Sequence, residues 1–160
     1  MNRLSKLFNR FLFLNKQFKI MSESSASSNL PSGEFKVNKE ELKSRLSEIQ
    51  YRVTQEKDTE LPFSGEYLKL KENGNYHCLV CDADLFPSST KYDSGCGWPA
   101  FFDVNKFAVK LTPDNSLGMK RIEVTCSKCD SHLGHLFNDG PKPTSQRYCI
   151  NSASLKFKKK

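Results

Sequence analysis

Arg121-Ile-Glu-Val-Thr-Cys-Ser-Lys-Cys129 joins two signals in one short run. Its first part, Arg121–Thr125, is rich in β-branched residues, the composition of a strand. Its second part is a Cys-x-x-Cys turn whose two thiols can reach one ion. Upstream, Tyr76–Val80 leads into a matching turn, Cys78-Leu-Val-Cys81. Phe107–Leu111 and Arg147–Phe157 have the same β-branched, aromatic or alternating character. Asn73-Gly74, Asp93-Ser94-Gly95 and Asp139-Gly140-Pro141 separate these segments with turn residues. Short strands punctuated in this way predict a mainly β, antiparallel domain.

Four thiolates in two pairs, Cys78 with Cys81 and Cys126 with Cys129, complete the tetrahedral sulfur shell that zinc takes in structural sites. Every position is a cysteine, which leaves no coordination place for a catalytic water. The pairs are far apart in the chain, so the ion would pin two distant parts of one domain together. The same residue types also serve iron–sulfur clusters and disulfides.

Ahead of the β segments, Asn38 followed by Glu41 has the form of a helix start. Leu42, Leu46 and Ile49 recur at helical spacing and predict a packing helix over 39–50. Residues 22–37 open with a serine-rich stretch that cannot build a core and form a linker. The folded domain is expected over 38–158. Residues 1–21 are basic, free of acids and partly apolar, which suits a mitochondrial presequence and equally a basic tail. A start at Met21 would give a shorter cytoplasmic form.

The net charge of +7 invites a nucleic-acid reading until its distribution is examined. Arg3, Lys6, Arg10, Lys16 and Lys19 lie in residues 1–21, and Lys156, Lys158, Lys159 and Lys160 close the chain. The body between them carries a slight excess of acid. A phosphate-binding face belongs on the folded body, so nucleic acid is not expected as a partner. No run of 18 apolar residues is present, and no membrane span is expected.

Two cysteines remain. Arg147, Cys149 and Asn151 alternate, so on a strand they would share one face, with a cation favouring the Cys149 thiolate. Cys96 lies between glycines in Ser94-Gly-Cys-Gly-Trp-Pro99, a permissive loop that could swing a second thiol toward an oxidised first one. Trp98, the single tryptophan, offers a flat apolar surface. His132 and His135 supply groups suited to proton exchange near neutral pH.

Together these blocks resemble the B-type methionine sulfoxide reductases. The resemblance rests on Tyr51–Gln55, Pro62-Phe-Ser-Gly-Glu66, both cysteine pairs, Ser94–Pro99, His132-Leu-Gly-His135 and Arg147-Tyr-Cys-Ile-Asn-Ser-Ala-Ser154. It implies two antiparallel sheets with a short N-terminal helix, stabilised by one zinc distant from the active site. It implies reduction of methionine-R-sulfoxide in oxidised proteins, with Cys149 as nucleophile and Cys96 as resolving thiol. Thioredoxin is the implied reductant, and a monomer is expected. Trp98 and Phe63 would bind substrate, and His132, His135, Asp139, Arg147 and Asn151 would complete the site. The proton donor is left open between His132 and His135. Ser145-Gln146 replaces a more usual glycine-containing pair, and Ala100 stands where serine is common.

Overall fold

The computed structural model describes residues 35–160. Residues 1–21, expected as a presequence or a basic tail, and the serine-rich stretch up to residue 34 lie outside the described residues. Among those described, no helix is long and apolar enough to cross a membrane.

Two helices stand where one is predicted over 39–50. Helix α1 (Lys39–Arg45) starts at Asn38, whose side chain accepts from the Glu40 and Glu41 N–H groups. Leu46 is extended, and Ser47 then opens α2 (Glu48–Glu56) with a reciprocal capping box to Gln50. The serine hydroxyl and the glutamine amide satisfy N–H groups that an unbroken helix would satisfy itself, and this divides the element. Leu42 and Leu46 of the predicted face are buried, but Ile49 is exposed, and Val53 of α2 packs inward in its place.

Nine strands follow: β1 (Gly74–Cys78), β2 (Asp84–Pro87), β3 (Lys91–Tyr92), β4 (Ala100–Phe101), β5 (Val109–Asp114), β6 (Arg121–Cys126), β7 (His132–Phe137), β8 (Arg147–Ile150) and β9 (Leu155–Lys159). They form two antiparallel sheets, one ordered β2-β1-β9 and the other β3-β4-β8-β7-β6-β5. The predicted strand over 147–157 is two strands in different sheets, joined by a 3-10 turn at Ser152–Ser154. The strand predicted over 107–111 begins at Val109 and runs to Asp114, because Phe107 takes a left-handed conformation.

Aromatic side chains fill the space between the sheets. Phe86 of β2 stacks on Phe101 of β4 at 4.5 Å, and Tyr76 of β1 meets Phe101 edge-on at 5.1 Å. Tyr76, Phe86 and Phe101 are completely buried. Each such ring contributes about 1.5–3 kcal/mol by leaving water. This packing fixes the larger sheet's opposite face, where the remaining chemistry lies.

Candidate active site

Residues directly opposite one another on antiparallel strands project from the same face. In the larger sheet this produces one row across six strands: Tyr92, Ala100, Cys149, His135, Glu123 and Thr112. Cys149 and His135 are therefore cross-strand neighbours. Arg147 shares the face with Cys149, as the alternation predicts. Its guanidinium makes two bonds to Asp139, Nε to Oδ1 at 2.7 Å and an Nη to Oδ2 at 2.9 Å. The same guanidinium lies 4.3 Å from the centre of the Phe137 ring.

The second thiol reaches this face from the β3–β4 loop. Cys96 Sγ lies 3.5 Å from Cys149 Sγ. A disulfide needs about 2.04 Å, so roughly 1.5 Å of closure would join them. Gly97 makes that approach available. Its φ of 95° suits glycine, and a Cβ there would stand 2.9 Å from the Cβ of Pro62. The Gly97 carbonyl also accepts from the Phe63 N–H at 2.7 Å, holding the exposed Phe63 ring beside the loop.

Burial pushes the Cys149 thiol up to about 12, aided by the neighbouring Cys96 sulfur and opposed by Arg147. At Cys96 burial also opposes ionisation, but the Ser94 hydroxyl, the Trp98 backbone, the Cys149 thiol and Arg147 outweigh it and lower its pKa. The cation does favour a Cys149 thiolate, as expected from sequence. Desolvation is the larger effect, because Cys149 is set back in the sheet.

The histidines occupy two environments. His135 Nε2 lies 2.8 Å from Asp114 Oδ2, which leaves Nδ1 available to the site. The Ser116 hydroxyl and N–H hold Asp114 well below the usual carboxylate range, with His135 and Arg121 assisting. His132 is almost fully buried, and its Nδ1 lies 2.8 Å from Glu123 Oε1. The other Glu123 oxygen takes a 2.8 Å bond from Lys57. Burial lowers the His132 pKa against the pull of Glu123. The two rings meet edge-on at 5.5 Å. His132 thus lies beneath the site and His135 within it.

Trp98 is held by its Nε1, which donates to the Glu60 carbonyl at 3.1 Å. Glu60 in turn accepts from the Ser152 and Ala153 N–H groups at 2.6 and 2.9 Å. Asn151 lies beyond the end of β8 and is buried. Its side chain accepts from Glu60 N at 3.0 Å and donates to the Leu133 carbonyl at 3.0 Å. Both its polar atoms thus bond backbone, and it braces the loop that orients Trp98. Glu60, Asp114, Glu123 and Lys57 were not singled out from sequence. Asp114 and Glu123 sit on strands, where charged residues ordinarily face water, and Lys57 and Glu60 lie in the loop after α2, so only the fold reveals their partners.

At the junction of the two sheets, Cys78, Cys81, Cys126 and Cys129 are buried with all four sulfurs within 4.8 Å of one another. None is bridged, and Cys78 to Cys129 and Cys81 to Cys126 measure 3.6 and 3.5 Å. Tetrahedral metal–sulfur bonds of about 2.3 Å place sulfurs about 3.8 Å apart, so the cluster fits one ion. The two turns repeat one geometry. Asp82 and Asp130 are left-handed at φ 61° and 58°, and each returns its N–H to the first cysteine's carbonyl at 2.9 Å.

A SelR domain model matches residues 46–159. The chain belongs to the SelR family, the B-type methionine sulfoxide reductases. Relatives described as peptide methionine sulfoxide reductase MsrB from Escherichia coli O139:H28 (strain E24377A / ETEC) and Escherichia coli (strain K12 / DH10B) are each 58% identical over 123 residues. Each match covers 76% of this chain and 90% of the relative. The crystal structure of the Mis18 'Yippee-like' domain covers 55% of this chain and 97% of its own at 16% identity, with a TM-score of 0.45.

Proposed function

We propose that this chain reduces the R epimer of peptide-bound methionine sulfoxide, repairing oxidised proteins, through a Cys149 sulfenic acid and a Cys96–Cys149 disulfide. The observation that carries this reading is the 3.5 Å separation of the two thiols beside His135 and Trp98. Trp98 offers an apolar wall for the S-methyl group, and Phe63 borders the entrance. Cys149 sulfur attacks the sulfoxide sulfur while a proton moves to the oxygen, through His135, and methionine leaves. The Cys149 thiol supplies that proton overall, so Cys–SH and sulfoxide become Cys–SOH and thioether with nothing left over. Cys96 then displaces water from the sulfenic acid and forms the disulfide. A thioredoxin dithiol takes up the oxidation by exchange and restores both thiols.

Zinc is the ion we assign to the four buried cysteines. It would join the ends of β1 and β6 and take no part in catalysis. The basic residues 1–21 would direct the chain to mitochondria, with a form starting at Met21 remaining in the cytoplasm. Incubation with each sulfoxide epimer of a dabsylated methionine and dithiothreitol tests the activity. Loss of the R epimer alone is expected; persistence of both epimers would refute the assignment.

A further inference from the structure

A groove of about 690 Å³ opens beside the Cys96 loop. Gly95 and Gly97, which flank Cys96, form one wall with Tyr92, and Phe63 stands at the same end. Leu68–Asn73 forms the other wall. Tyr92 belongs to both places. It lines the groove, and it stands in the cross-strand row of Cys149, next to Ala100. Its hydroxyl is buried with no hydrogen-bond partner among the described residues. The groove therefore borders the loop that carries Cys96.

Its lining holds three lysines, Lys69, Lys71 and Lys91, against two acids, Glu72 and Asp93. Lys91 Nζ donates to the carbonyls of Leu68 and Leu70 at 2.9 Å each, which fixes the wall without a carboxylate contact. Lys69 and Lys71 lie on that wall, exposed, with no ion pair among the described residues. The two acids present are both engaged. Glu72 pairs with Lys159 at 2.8 Å, and Asp93 accepts from the Gly95 N–H at 3.0 Å. A chain passing along the groove would meet more ammonium groups than carboxylates, together with apolar side chains.

We propose that this groove seats the polypeptide flanking the oxidised methionine and favours acidic residues in it. The proposal rests on the methionine sulfoxide reductase reading of the site. An oxidised methionine held at Trp98 must continue into neighbouring residues on both sides. The groove gives one side a path past Phe63, with Lys69 and Lys71 facing its side chains. Such rim charges act through long-range attraction and lose strength in salt.

The test compares three substrates, with dithiothreitol and in parallel with thioredoxin as reductant: N-acetyl-methionine-R-sulfoxide, and peptides with the sulfoxide residue flanked by aspartates or by lysines. The wild-type protein is expected to prefer the aspartate peptide about tenfold in kcat/KM at low salt, and the ratio should collapse in about 0.5 M salt. The double variant Lys69→Glu, Lys71→Glu should reverse the preference while keeping the N-acetyl substrate within about twofold. An unchanged peptide ratio in that variant overturns the proposal. So does a defect confined to thioredoxin-driven turnover of the N-acetyl substrate, which would make the groove a reductant dock. If the wild type reduces neither small substrate nor peptide, the reductase reading itself has failed.

Discussion

His135 stands directly opposite Cys149 on the adjoining strand, and its Nε2 is held 2.8 Å from Asp114 Oδ2. The carboxylate fixes which ring nitrogen remains for the site, so Asp114 is a positioning residue. Asp114→Asn should lower kcat at least tenfold with KM changed less, since proton transfer by a positioned side chain contributes about 10²–10⁴-fold. His135→Gln should lose more. Steady-state kinetics with the R epimer checks both, and a fall in KM-dependent binding alone would remove the proton-transfer role.

The Cys149 thiol, pushed up to about 12, should resist alkylation in the free protein. The sign follows directly: a raised thiol pKa leaves little thiolate at pH 7, and its fraction grows tenfold per pH unit up to the pKa. Iodoacetamide should therefore modify Cys96 first. Cys96→Ser should make Cys149 alkylate faster at the same pH, because a neighbouring sulfur that disfavours its ionisation is gone. Peptide mapping after timed alkylation reads both rates; equal rates for the two thiols would contradict the electrostatics.

Removal of the metal should loosen the junction of the sheets. Cys126→Ser should lose the ion and unfold at a much lower temperature, because structural zinc supplies roughly 10–16 kcal/mol of apparent binding energy in small domains. Metal analysis and a melting curve decide this. An unaltered metal content with an unaltered midpoint would exclude the four-sulfur site.

Ser145 adopts φ 56°, the left-handed region that costs a side-chain-bearing residue about 1–2 kcal/mol. Glycine adopts it freely but loses more freedom on folding. Ser145→Gly should therefore stabilise the protein by up to about 1 kcal/mol, measured by urea unfolding. Destabilisation would show that the serine side chain contributes more than its backbone costs.

The β class was legible because strand composition and turn residues agree along most of the chain. The metal site was legible too, since Cys-x-x-Cys fixes two ligands by local geometry alone. Arg147 and Cys149 were correctly placed on one face by alternation. Asn151 follows the end of β8, and its side chain is engaged by the Glu60 N–H and the Leu133 carbonyl, partners that alternation does not reveal. The helix break at Leu46 was hidden by an apolar spacing that continues across it, although Ser47 and Gln50 spell a capping box. Glu60 and Glu123 were invisible for a different reason. Their partners are 92 and 9 residues away in sequence, and only folding brings Ser152 and His132 to them.

The most direct test is to mix the fully reduced protein with one equivalent of methionine-R-sulfoxide, without reductant, and map its disulfides by mass spectrometry. One methionine should form per chain, together with a Cys96–Cys149 bond, while Cys78, Cys81, Cys126 and Cys129 stay reduced on their ion. Methionine formed with Cys149 still free to alkylate, or a bond joining other cysteines, would contradict the account.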